Sequence, residues 1–80
     1  MSKLQERRIE LRLTQSQLAE KVGMNVRTLQ CYEQGFRSLE GANFSVLMKL
    51  CKILECEISD ILENESVIRE YEDYINSILE

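Results

Sequence analysis

The sequence predicts an all-α fold, with five short helices in one small domain and an additional C-terminal helix. Three observations carry this. The 80-residue chain has no proline and only three glycines, so little in it interrupts a helix. Its apolar residues are rich in Leu and Ile and recur at spacings of three and four rather than two. Residues that start and stop helices also fall at the ends of these periodic stretches. A chain this short buries only a modest core, so a single folded domain is expected over residues 1–63, with residues 64–80 as a helical extension.

Ser2 with Gln5, and Thr14 with Gln17, are capping-box patterns, in which a hydroxyl and the residue three later satisfy free N–H groups at a helix start. They open a first helix over about Lys3 to Arg12, with Leu4, Arg8 and Leu11 on one face, and a second over about Gln15 to Val22. Gly23 ends the second, because glycine adopts the left-handed conformation without the steric cost of a side chain. Asn25 caps a third helix, about Val26 to Gln34, that turns Leu29 and Tyr32 inward and stops at Gly35. Phe36 to Ala42 has no periodicity and reads as a loop. Asn43 caps a fourth helix whose Val46, Leu47, Leu50, Cys51 and Leu54 form a core stripe. Ser59 and Asp60 open a short fifth helix with Ile61 and Leu62. Beyond Asn64, the residues Val67, Ile68, Tyr71, Tyr74, Ile75, Ile78 and Leu79 make a wide apolar stripe on a last helix.

Composition excludes several classes of function. No apolar run approaches the roughly 18 residues that span a bilayer, and charges stand where a signal peptide is apolar, so a cytoplasmic location is expected. Cys31, Cys51 and Cys56 are odd in number, form no CxxC pair and have no histidine to share a metal. They read as structural thiols, and no metal or cofactor is expected. An enzyme is not expected either: no histidine transfers protons, no glycine-rich loop holds phosphate, and the carboxylates lie on solvated helix faces. The net charge of -4 is divided unevenly along the chain. Residues 1–40 carry seven basic and five acidic side chains, whereas residues 41–80 carry three basic and nine acidic ones. A face for polyanions, if there is one, belongs to the first half.

Gln15 to Gly35 meets the steric requirements of a DNA-reading helix-turn-helix at several offsets together. Ala19 is small where two helices cross, Gly23 lies in the turn, and Leu18, Val22, Leu29 and Tyr32 are apolar where the helices pack on the domain. In LTQSQLAEKVGMNVRTLQCYEQG, Leu13 to Gly35, and more loosely in LMKLCKILECEISDILE, Leu47 to Glu63, the chain resembles the XRE family of phage-repressor and Cro-type regulators. With the first helix the resemblance covers about residues 3–63. It implies a five-helix phage-repressor-like domain that binds double-stranded operator DNA, usually as a dimer, and repression is the default mode.

The resemblance also implies a DNA-binding surface made of Thr14, Gln15, Ser16, Asn25, Val26, Arg27, Thr28, Gln30, Cys31 and, in the loop FRSLEGAN, Arg37. Gln15 would bond a phosphate or a base edge from a helix N-terminus. Arg27 would read guanine, since its fork can donate to both O6 and N7, and Val26 would touch a thymine methyl. Arg8 and Glu33 match positions that pair between the first and third helices in some members, a contact that orients the two. The FRSLEGAN loop is longer than the family's and lacks its proline.

The last helix has no counterpart in the family. Its apolar stripe either packs back on its own domain or pairs with the same helix of a second copy, through Val67, Ile68, Tyr71, Tyr74, Ile75 and Ile78. Such pairing would set two reading helices about 34 Å apart, one turn of DNA. The competing reading is an antitoxin or protein-binding adaptor that uses the same domain and takes a protein partner.

Overall fold

Helices follow one another along the whole of residues 1–79, which a computed structural model describes, with no strand among them. They are α1 (Lys3–Glu10), α2 (Gln15–Val22), α3 (Val26–Gln34), α4 (Phe44–Leu54) and α5 (Glu65–Leu79). Single 3-10 turns at Leu39–Gly41 and Ile58–Asp60 interrupt the connections before α4 and α5. The all-α expectation therefore holds. The short fifth helix expected at Ser59 is realised as one 3-10 turn, and the C-terminal helix is the fifth α-helix. The last residue of the expected extension, Glu80, lies outside the described residues.

Most helix starts are decided locally. Thr14 Oγ1 accepts the Gln17 N–H at 3.0 Å while Gln17 returns its Oε1 to the Thr14 N–H at 2.8 Å. Asn25 and Asn43 accept the N–H of Arg27 and Ser45, both at 2.7 Å. At α1 only half of the expected box forms: Ser2 accepts from Gln5, and nothing returns to Ser2. The Lys3 N–H instead donates to Glu63 Oε1 at 2.6 Å, which ties the start of the chain to the end of the domain.

α1 stops at Glu10, two residues before the expected Arg12. Arg12 itself takes the left-handed conformation, φ 59°, and the Leu13 N–H turns back to the Arg8 carbonyl at 3.2 Å. A second non-glycine, Glu55 at φ 53°, ends α4 in the same way. Two carbonyls at that end, of Leu54 and Glu55, accept from Arg7 Nε and Nη2 at 2.8 and 3.1 Å. A cation at a helix C-terminus is favourable, and here it also fastens α1 to α4.

The core is a ring of aliphatic side chains from every part of the domain. Leu4, Leu18, Leu29, Leu50, Leu54 and Ile61 are fully buried, with Ala19, Val22, Leu39, Leu47, Leu62 and Ile68 around them. Leu11, Val46 and Tyr32 pack at its edge. Cys51 and Cys56 also pack there, where burial, each other's proximity and Asp60 push the Cys51 thiol up to about 12. Burial and Asp60 raise Cys56 as well. Both thiols are therefore neutral at physiological pH, as structural cysteines should be. No helix among the described residues is long and apolar enough to cross a membrane.

The segment read as a featureless loop is anchored at two points. Leu39 is buried in the core, and Glu40 reaches across the domain, so that its Oε1 accepts the N–H groups of Glu63 and Asn64 at 3.1 and 2.9 Å. Its other oxygen takes the Ser38 hydroxyl. Burial raises the Glu40 pKa, but the Ser38 hydroxyl and the amides of Asn64, Glu40 and Glu63 outweigh it and hold the carboxyl below its usual value. Asn64 in turn caps α5, accepting from Ser66 and Val67 at 2.9 and 3.2 Å. Glu40 thus sets the point from which α5 departs.

Because its folded-state pKa is lowered, the stabilisation from Glu40 is complete above the unfolded carboxylate range and is lost as pH falls through the lower folded value. Glu40→Gln, which mimics the protonated acid, should cost about 1 kcal/mol at neutral pH, a figure discounted for solvent exposure. Urea unfolding of both proteins at about pH 7 and about pH 3 checks this, with the gap closing at the lower value. A gap that does not change with pH would show that the carboxylate's charge contributes nothing.

Candidate nucleic-acid interface

α2 and α3 are joined by the three residues Gly23 to Asn25. Gly23 sits at φ 80°, a conformation that a side chain resists, and the Met24 N–H returns to the Ala19 carbonyl at 2.9 Å. Ala19 is only 3% exposed, so its small side chain lets the helices approach. Leu18, Val22 and Leu29 are buried beneath them. This packing uses one side of α3. It leaves the opposite side, Val26, Arg27 and Gln34, exposed, with Gln30 and Cys31 half-exposed between them.

An ion pair holds this arrangement from beneath. Arg8 of α1 donates from Nε to Glu33 Oε2 at 2.7 Å and from Nη2 to Glu33 Oε1 at 3.1 Å, and both residues are buried. Its remaining nitrogen, Nη1, donates to the Leu13 carbonyl at 2.7 Å, between α1 and α2. Glu33 Oε1 also accepts Gln15 Nε2 at 2.9 Å, and Gln15 Oε1 accepts Gln30 Nε2 at 3.2 Å. The hydrogen bonds run unbroken from the interior of α1, through Glu33 and the first residue of α2, to the outer face of α3. Among the described residues no buried side-chain nitrogen or oxygen lacks a partner.

The residues expected at the interface fall into two groups. Thr14, Gln15 and Ser16 lie at the N-terminus of α2, and Asn25, Val26, Arg27, Thr28, Gln30 and Cys31 lie along the first two turns of α3. The Gln15–Gln30 bond brings the groups together. Arg37 stands apart from both, beyond the left-handed Gly35 that ends α3, its N–H bonded to the Cys31 carbonyl at 3.2 Å. Arg27 and Arg37 are exposed, and neither forms an ion pair among the described residues. The free N–H groups of the α2 N-terminus add partial positive charge beside α3.

Gln15 differs from its expected picture. Its oxygen and one amide hydrogen are held within the protein, which leaves it one N–H for an outside acceptor. The role of Gln30 as its partner had no sequence signal, since the two are 15 residues apart and meet only because α2 and α3 cross. The Arg8–Glu33 pair did have one, because both residues match positions that pair in some members of the family that the sequence resembles.

Two helices crossing through a small residue, a left-handed glycine in the turn and an open outer face on the second helix define a helix-turn-helix domain. A family model described as the Cro/C1-type HTH DNA-binding domain matches residues 3–65, and the chain belongs to that family. Its function is accordingly sequence-specific DNA binding in the regulation of transcription. Comparison with curated proteins and with solved structures gave no match.

The pair's desolvation sets the expected effect of breaking it. Glu33→Ala leaves a buried guanidinium without its counter-charge and should cost about 3–5 kcal/mol. Replacing both partners, Arg8→Met with Glu33→Leu, should recover much of that loss, because no charge is then stranded. Urea unfolding of the single and double variants tests this. A double variant as unstable as Glu33→Ala would show that the site requires polarity rather than charge balance.

Proposed function

We propose that this chain is a transcriptional repressor that binds operator DNA as a homodimer, with α3 in the major groove. The observation that carries the reading is Arg27, exposed in the first turn of α3 and paired with no carboxylate among the described residues. An arginine so placed is free to donate twice to guanine O6 and N7. Val26 beside it offers a methyl surface to thymine, and Thr28, Gln30 and Cys31 continue the reading face. Thr14, Gln15 and Ser16 meet the phosphates from the α2 N-terminus, and Asn25 lies close to the same strand as the cap of α3. Arg37 grips a phosphate from the loop.

The dimer is proposed through α5. Ile68 is buried in its own domain and Val67, Tyr71 and Ile75 are half-buried, whereas Tyr74 and Ile78 are 61% and 58% exposed and Leu79 more so. The helix packs inward at its start and offers an apolar face at its end, which supports pairing with a second copy. Four residues, Tyr71, Tyr74, Ile75 and Ile78, recur at the three-and-four spacing that pairs helices. A second reading, an antitoxin or adaptor that meets another protein, is favoured by the same exposed end on a helix that also bears Glu65, Glu70, Glu72 and Asp73.

Selection of bound fragments from random duplex DNA at two salt concentrations should enrich a palindrome with half-sites about one helical turn apart, weakened steeply by salt. Arg27→Ala should weaken operator binding by about 1–3 kcal/mol without altering thermal stability. Equal discrimination between operator and mutated operator in both proteins would remove Arg27 from base reading. For the dimer, Tyr74→Glu combined with Ile78→Glu should leave the domain helical, convert it to a monomer in sedimentation and lower operator affinity. A wild-type chain that sediments as a monomer would shift the reading to the antitoxin or adaptor.

A further inference from the structure

The hydrogen bonds behind the reading face have a direction, and we infer from it that Gln30 selects adenine. This rests on the reading of α3 as the helix in the major groove. The direction starts at Glu33, which as the anion of a buried ion pair only accepts hydrogen bonds. Gln15 must therefore turn its amide nitrogen toward Glu33, and it does so at 2.9 Å. That choice points the Gln15 carbonyl oxygen at Gln30, which must answer with its own nitrogen, at 3.2 Å. Reversing the Gln30 amide would set two carbonyl oxygens against each other, and reversing Gln15 would set one against a carboxylate. A glutamine side chain ordinarily turns either end outward, but here one orientation is imposed from the interior.

The outward end of Gln30 is thus its Oε1, together with the amide hydrogen that Gln15 does not use. Among the described residues Oε1 accepts no hydrogen bond, and no buried side-chain oxygen is left unpartnered, so this atom opens to solvent on the half-exposed face of α3. An acceptor beside a donor matches adenine in the major groove, whose N6 amine donates and whose N7 accepts. Guanine offers two acceptors there, O6 and N7, and would face Oε1 with repulsion. Thymine presents O4, again an acceptor, and cytosine has an amine without the neighbouring N7. Gln30 therefore contributes specificity of a kind that Arg27, a pure donor, does not.

The test uses the full chain and the operator obtained by selection from random duplexes. Replacing adenine by purine, which lacks the 6-amino group, should at one base pair of each half-site lower wild-type affinity about tenfold. Gln30→Ala should be insensitive to that replacement, and Gln15→Leu, which frees the amide to rotate, should be less sensitive than wild type. Circular dichroism verifies that both variants remain folded. If an operator is selected but Gln30→Ala shows the same purine penalty as wild type at every adenine, this inference falls and the DNA-binding reading stands. If the folded wild type enriches no operator, both fall together.

Discussion

The rest of the domain is arranged around one buried ion pair. Taking Arg8 and Glu33 out of water is unfavourable for each alone, and the structure offsets this by giving Arg8 both carboxylate oxygens and a backbone carbonyl. Arg8 stands on α1 and its partners come from the α1–α2 connection and α3, so the charges are satisfied only when all three are in position. Aliphatic packing alone would tolerate small sliding of α3, because dispersion contacts are numerous and non-directional. A bidentate ion pair tolerates much less. The orientation of α3, on which the proposed reading of bases depends, is therefore fixed by a polar interaction inside an apolar core.

The domain's second fastening lies at its other end and serves a different element. Glu40, Glu63 and Asn64 join the α3–α4 connection to the start of α5, while the Lys3 N–H joins Glu63 to the start of α1. Two polar tethers and the burial of Ile68 fix the first turn of α5. Its last turns carry Tyr74, Ile78 and Leu79 outward without such support. A helix of 15 residues is marginal alone in water, so its distal half depends on being continuous with a fixed first turn and on whatever covers Tyr74 and Ile78.

How much of this was legible in the sequence depends on range. The caps at Thr14, Asn25 and Asn43 and the left-handed turns at Gly23 and Gly35 are decided within four residues, and the boundaries of α2 and α3 follow from them. Arg12 and Glu55 were hidden, because a left-handed arginine or glutamate has no composition signal and is imposed by the packing on either side. Leu39 and Glu40 were hidden for a related reason: in a stretch without periodicity, nothing local says which residue turns inward or which carboxylate reaches an amide 24 positions away. At the site, the family resemblance placed Arg27 and Gln30 together on α3. The Gln15–Gln30 bond could not be placed, because it depends on the crossing of two helices rather than on either one.

The charge distribution fits a DNA-binding domain better than its total does. A net charge of -4 weakens the general attraction to phosphate that gives non-specific binding, and the acidic second half of the chain adds to that effect. The exposed cations lie on more than one face: Arg27 is on α3 and Arg37 in the loop beyond it, while Lys21, Lys49 and Lys52 line one groove together. On the proposed reading, discrimination between sites then rests on the directional groups of α3, which the buried ion pair helps to hold in place. On that reading, a weakly attractive surface and a firmly oriented α3 are complementary. The first limits binding at wrong sequences, and the second concentrates affinity in contacts that only the right sequence can make.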